Sequence, residues 1–286
     1  MKLKSFIKEI VIISIVLISQ GSVGQVPYER ILNASDEPQN WLTYNGGYMS
    51  QRYSLLDQIN RENVNQLELK WVLQNQVFGA WQSNPIIVDG VMYVTERPNS
   101  VMAVDAVTGR VYWKYRHQNA DNALVCCGAN NRGVAVLNDK VYMGTLDAHL
   151  VALDRVNGQL LWEAEVGDVN LAYSVTMAPL AVKDKILVGV GGGEFGIRGY
   201  VAAFNAETGE QAWKTYTIPG PGEANHDSWE GDDWEHGGAP VWITGSFDSD
   251  LNLTYWGVGN PGPDWNAGQR PGDNLYSDSA IALDAD

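Results

Sequence analysis

The chain has 286 residues, of which 45% are hydrophobic and 19% charged, proportions that suit one large or two ordinary globular domains and exclude a disordered chain. Its formal net charge of −15 repels phosphate backbones and anionic lipids, which argues against nucleic acid as a partner.

The N-terminus reads as a secretory signal peptide over residues 1–24. Lys2, Lys4 and Lys8 precede the apolar run Ile10 to Ser19, and Gly21 to Gly24 offer small residues for cleavage. The run is too short to cross a bilayer, so no stable membrane insertion is expected. No cysteine follows it closely, which argues against a lipid anchor. Removing the leader, with its three lysines and one glutamate, takes the formal charge to −17. Export implies an oxidising periplasm, where adjacent cysteines can stay oxidised.

Residues 25–286 read as a single repetitive domain. Three segments share one pattern: AVDAVTGRVYW (103–113), ALDRVNGQLLW (152–162) and AFNAETGEQAW (203–213), with ALDAD (282–286) matching its start. Before each full copy lie runs rich in Val, Ile and Tyr, broken by Asp-Gly, Asn-Asp or Lys-Asp turns (84–96, 134–146 and 180–191). Within each copy an Asp or Asn followed by Thr-Gly or Asn-Gly predicts a second reversal, then a strand ending in Trp. Four short strands per roughly 50 residues is the arithmetic of a β-propeller blade. Trp113, Trp162 and Trp213, one per unit, are expected to fill the wedges between blades. A longer interval before the last copy accommodates the insertion 218–238, whose acidic part, 225–238, reads as a solvated loop. Stopping inside a repeat, the chain is expected to be the N-terminal part of a longer propeller, since a propeller must close or protect its edges.

Between the first and second units, LVCCGANNRGVAV (124–136) holds the only two cysteines of the chain, side by side. A bridge between neighbours closes almost no loop and contributes little chain-entropy stabilisation, so the pair reads as placed for a local purpose.

Nearly all of residues 25–286 resemble the pyrroloquinoline quinone (PQQ) dependent alcohol dehydrogenases, methanol and ethanol dehydrogenases among them. The resemblance runs from NWLTYNGGYMSQRYSLLDQIN (40–60) through the three repeats, and includes CCGANNRG, GGGEFGIRGYVAAF and YWGVGNPGPDWN. The repeats alone are weak support, because scaffold propellers share them. The dicysteine with Arg132 five residues on is far more specific.

The resemblance implies an all-β, eight-bladed propeller of which this chain supplies roughly the first half. It also implies a disulfide between Cys126 and Cys127, lying flat on one face of PQQ, with Trp242 of GGAPVW stacked on the other. PQQ is a tricarboxylate. Arg132 and Thr176 stand at the positions that meet its carboxylates, and Gln82 stands where many members carry Glu. Glu194 and Asn260 match the family's protein ligands for Ca²⁺, a lanthanide remaining an alternative, and Gly192 and Gly193 would let backbone approach the cofactor. Without the paired motifs, a Glu and an Asn beside glycines are ordinary turn residues. Gly191 and Pro240 depart from the Ser and Thr of methanol-oxidising relatives, removing a hydroxyl at each place and leaving the substrate open.

The implied reaction oxidises a primary alcohol to an aldehyde, with electrons passing to a cytochrome c. Rival readings are a non-catalytic propeller acting as scaffold or sensor, and a quinoprotein acting on sugars or aldehydes. The family's catalytic base is an aspartate expected beyond Asp286, and neither Asp273 nor Asp278 stands in the matching motif. A polypeptide of these 286 residues, loaded with PQQ and Ca²⁺, is therefore expected to show no dye-linked alcohol oxidation. Robust turnover would overturn that placement of the base.

Overall fold

The computed structural model describes residues 24–286. The expected leader lies, but for Gly24, outside the described residues. No helix among them is long and apolar enough to cross a membrane.

Hairpin turns of two kinds build each unit. Asp89-Gly90 joins β1 (Ile86–Val88) to β2 (Val91–Glu96), both turn residues at positive φ (52° and 77°), as a type I′ hairpin requires. Asn138 and Lys183 also take positive φ (54° and 55°) at the equivalent turns, where asparagine tolerates the left-handed backbone and lysine is held in it by the hairpin. The second reversal is an Asx turn. Asp105 Oδ1 accepts from the N–H groups of Val107 and Thr108, each at 2.9 Å, between β3 (Ser100–Asp105) and β4 (Val111–Arg116). Asp154 and Asn205 repeat this between the last two strands of the next two units.

The resulting sheets are antiparallel and in chain order. β1–β4 form the first. β5 (Ala135–Leu137), β6 (Lys140–Gly144), β7 (His149–Asp154) and β8 (Leu160–Glu165) form the second. β9 (Leu180–Val182), β10 (Lys185–Gly189), β11 (Tyr200–Asn205) and β12 (Gln211–Tyr216) form the third. β13 (Ser246–Asp248), β14 (Leu253–Gly257) and β15 (Ala280–Asp284) give a three-stranded fourth sheet among the described residues. Within the second sheet β5, β6 and the middle of β7 are buried, whereas β8 alternates exposed and half-buried, which marks it as the outer strand.

The outer strands do not end at their tryptophans as the sequence predicts. Each runs three residues further, and the register slips by one just past the pairs Ala103–Trp113, Ala152–Trp162 and Ala203–Trp213. This repeated bulge increases the local twist.

Each tryptophan then lies on the Asx turn of the following blade. Trp113 Nε1 donates to Arg155 O (3.1 Å), Trp162 Nε1 to Ala206 O (3.2 Å) and Trp213 Nε1 to Ala285 O (3.4 Å). A Cβ on Gly158 or Gly209 would stand 2.5 or 2.8 Å from the indole above it, so the glycine of each turn serves the neighbouring blade as well as its own positive φ. Trp71, outside the three repeats, does the same to Gly109 and Ala106 of the first blade.

An N-terminal strap links the blades across their inner strands. Val26 bridges to Asn138, Trp41 to Ile87, Tyr48 donates to Ala181 O (2.7 Å), and Phe247 N donates to Tyr48 O (3.1 Å). The acidic stretch 225–238 is not simply a solvated loop, nor is the rest of the insertion. Its carboxylates face solvent, but Ile218 and Trp229 are buried, and Trp229 Nε1 donates to Leu275 O (2.6 Å).

Replacing Trp162 by Ala removes the indole between the second and third blades, and should destabilise the protein by about 3 kcal/mol. A urea denaturation midpoint showing a loss below roughly 1 kcal/mol would contradict the wedge role.

Candidate cofactor site

Loops that enter an inner strand and loops that leave the second strand meet at one end of the sheets. Gln82 lies shortly before β1, Cys126, Cys127 and Arg132 before β5, Thr176 before β9 and Trp242 before β13. Gly191, Gly192 and Glu194 follow β10, and Asn260 follows β14. All of these line one cleft of about 540 Å³, together with Tyr44, Val125, Gly128, Asn130, Ser174, Pro240 and Ile243. Four blades thus contribute to a single concavity of the size that small-molecule sites use.

Cys126 and Cys127 are joined in a disulfide on the wall of the cleft. The loop is bent there by positive φ at Cys127 (62°) and Gly128 (94°), and Asn130 Nδ2 donates to Cys127 O (3.0 Å). Asn130 Oδ1 is buried with no hydrogen-bond partner. Arg97 Nε donates to Ala129 O (3.2 Å) and ties the same loop to the first blade.

The backbone of Arg132 is held on both sides, its N–H by Thr176 O (3.1 Å) and its carbonyl by Asn84 N (3.0 Å). Its Nη1 donates to Thr176 Oγ1 (2.8 Å), and its guanidinium stands 4.9 Å from the centre of the Trp242 ring. Burial pushes the guanidinium below its ordinary pKa, and no neighbouring carboxylate offsets it. A half-buried cation without a counter-charge, beside a hydroxyl and an indole that is 43% exposed, is suited to an anionic aromatic ligand.

Glu194 sits on a 3-10 turn, Gly193–Phe195, with its carboxylate and the two sulfurs mutually within 4.8 Å. Asn260 Nδ2 donates to Asp264 Oδ1 (2.8 Å), which fixes its amide and leaves the carbonyl oxygen as a donor for a cation. Glu194 is the sole carboxylate among the residues lining the cleft.

The two glycines also answer to packing behind the cleft wall. Gly193 is buried behind the lining, and a Cβ there would meet the Pro240 ring at 2.8 Å. At Gly192, which lines the cleft, φ is +113° and a Cβ would collide with Ala172 O, so the wall behind the cleft by itself demands glycine there. The hydroxyl missing at Gly191 has a neighbour in its place. Ser174 bridges to Gly191, and its Oγ lies 3.0 Å from where a Cβ on that glycine would stand.

Sequence reasoning passed over Tyr44, Asn130 and Ser174. Ser174 lies two residues before Thr176 on extended backbone, and that spacing alone places both on one face. Asn130 falls inside the dicysteine motif. Tyr44 carries no local signal.

A family model described as the β-propeller domain of glucose, ethanol and alcohol dehydrogenases, labelled PQQ, matches residues 41–286. The chain belongs to this family of PQQ-dependent dehydrogenases. It is 40% identical to the quinoprotein alcohol dehydrogenase PedH of Pseudomonas putida, over 96% of this chain and 49% of that protein. It is 39% identical to the lanthanide-dependent methanol dehydrogenase of Methylacidiphilum fumariolicum, over 89% of this chain and 45% of that protein. Among solved structures, the quinohemoprotein alcohol dehydrogenase ADHIIG from Pseudomonas putida superposes with a TM-score of 0.87 at 41% identity, covering 93% of this chain and 41% of that one. A europium-containing methanol dehydrogenase gives 0.84 at 37%, covering 90% and 49%. The chain therefore spans about half the length, or less, of these relatives.

The disulfide leaves no free thiol among the described residues, and the described residues hold both cysteines of the chain. Alkylation under denaturing, non-reducing conditions should add no mass, and two adducts should appear after reduction. Two adducts without reductant would remove the disulfide from the cleft wall.

Proposed function

We propose that the protein is a periplasmic quinoprotein dehydrogenase that oxidises a primary alcohol to an aldehyde, using PQQ with a bound Ca²⁺ and delivering electrons to a cytochrome c. The observation that carries this reading is the uncompensated Arg132 guanidinium in a cleft walled by the Cys126–Cys127 disulfide and the exposed face of Trp242. No described feature asks a scaffold or a sensor to bury a lone cation there.

The residues fit the group. Arg132 and Thr176 Oγ1 would take carboxylates, with Ser174 and Gln82 as further polar contacts. The disulfide and Trp242 would hold the ring system flat, and Ile243 and Val125 would keep water from it. Glu194 and Asn260 would contribute two oxygen donors to the cation, too few for Ca²⁺ alone, so the remaining ligands fall to the cofactor. Bound there, PQQ supplies a two-electron acceptor, and the dication supplies Lewis-acid polarisation.

Alcohol oxidation also requires a base for the hydroxyl proton. Glu194, committed to the cation, is poorly placed for that task. On this reading the base is an aspartate from the portion of the relatives' length that residues 24–286 do not match. Periplasmic location rests on the leader pattern of residues 1–24, and a hard cation rests on the oxygen donors Glu194 and Asn260, which suit Ca²⁺ and leave a lanthanide as the alternative.

In the full-length protein, Arg132→Ala should weaken PQQ binding about 10- to 100-fold, from the loss of a charge-assisted hydrogen bond. Calorimetry with PQQ, run with Ca²⁺ and separately with La³⁺, measures the loss and tells the two cations apart. Unchanged affinity in the variant would sink the assignment of the cleft.

A further inference from the structure

The first and second blades meet at a cluster that the cleft does not use. His117 follows the outer strand β4 of the first blade, His149 opens β7 of the second, and Glu163 lies on β8. One ring nitrogen from each histidine and one carboxylate oxygen of Glu163 lie within 4.8 Å of one another, and none of the three residues lines the cleft.

Asp147 fixes the His117 imidazole and faces that of His149. His117 Nε2 lies 3.0 Å from Asp147 Oδ1, and the carboxylate is itself fixed by Thr145 Oγ1 (2.6 Å) and by the N–H of Ala120 (2.9 Å). His149 Nδ1 is 3.7 Å from Asp147 Oδ1, too long for a hydrogen bond, and is buried without a partner. His149 Nε2 is 3.9 Å from Glu163 Oε1, and Glu165 is paired directly across the strand from His149. Tyr115 Oη lies 3.4 Å from His117 Nδ1. No lysine or arginine forms an ion pair with Asp147 or Glu163 among the described residues; Lys214, seated over the Tyr200 ring, lies near enough to interact with Glu165.

We infer that His117, His149 and Glu163 form a second metal site, for a divalent transition-metal ion of the Zn²⁺ class, that clasps the first blade to the second. Two imidazoles and a carboxylate suit such an ion, whereas a hard cation such as Ca²⁺ prefers an all-oxygen shell. A carboxylate behind a ligating histidine is the usual device for fixing its ring, and Asp147 supplies it to His117. Bond lengths of about 2.0–2.2 Å require the donors to close in by about an ångström. Glu163, a surface side chain, can make that movement by rotation. His117 also opens the loop that carries the disulfide, and Ala120 of that loop is bonded to Asp147, so the ion would anchor the loop at the end opposite Arg97.

The test is metal binding, not turnover. Chelator-stripped full-length protein, first saturated with Ca²⁺, is titrated with Zn²⁺ by calorimetry, and bound metal is counted after desalting. One equivalent of Zn²⁺ is expected to bind in the presence of Ca²⁺. His149→Ala should weaken it by roughly 100-fold or more, and Glu163→Gln, a surface change that leaves the fold intact, should weaken it as well. Both variants should keep wild-type PQQ uptake, which separates this site from the cleft. No Zn²⁺ bound by the wild type, or equal binding by wild type and Glu163→Gln, overturns the inference.

Discussion

The contact on which the architecture depends is an indole laid on a glycine of the next blade. Trp71, Trp113 and Trp162 each cover a turn glycine closely enough to leave no room for a Cβ, and each donates its N–H to a carbonyl of that turn. The pairing fixes distance through sterics and orientation through a hydrogen bond. Repeated from blade to blade, it sets a constant rotation between neighbouring sheets. The cleft is a consequence of that rotation. Loops from four blades converge only if each sheet is turned by the right amount relative to the last, so a tryptophan on the rim governs which side chains meet near the axis.

Within the cleft, position is enforced by the backbone before any side chain is considered. Arg132 is held between Asn84 of the first blade and Thr176 of the third, so its guanidinium enters the cleft from a strand entrance that cannot shift without breaking both. The cost of keeping that cation half-buried and unpaired is visible in its lowered pKa. Folding alone gives no reason to bear such a cost, and an anionic ligand does. The chain's net charge of −15 sharpens the point, because the overall field repels an anion and leaves attraction to the local contacts.

Much of this was legible in the sequence because it is periodic. Asp-Gly, Thr-Gly and the trailing Trp recur in register, and turn chemistry is local. The candidate site was legible for a different reason: its residues sit in short motifs at strand entrances and exits, and the repeat itself says that these ends coincide. What escaped was contact at long sequence separation without a repeat. Tyr44 reaches the cleft, and Val26, Trp41 and Tyr48 cross the inner strands, on a strap that belongs to no blade. Trp71 escaped because no Asx-turn pattern precedes it to flag it as the partner of Gly109. At Gly192 and Gly193 the sequence shows that a Cβ is missing but not which atom it would have met, and the contacts with Ala172 O and the Pro240 ring came only with the structure.

The departures at Gly191 and Pro240 illustrate how a site can change its residues and keep part of its chemistry. Glycine at 191 removes a hydroxyl from the wall, yet the bridge between Ser174 and Gly191 brings the Ser174 hydroxyl to the edge of the vacated volume. A larger residue at 191 would press on that hydroxyl, so the two positions are coupled sterically. Pro240 has no such replacement. Its ring packs against Gly193 and Gly259, and it stiffens the approach to Trp242 instead of offering a polar contact. The wall between Glu194 and Trp242 is therefore more apolar and more rigid than a threonine there would make it.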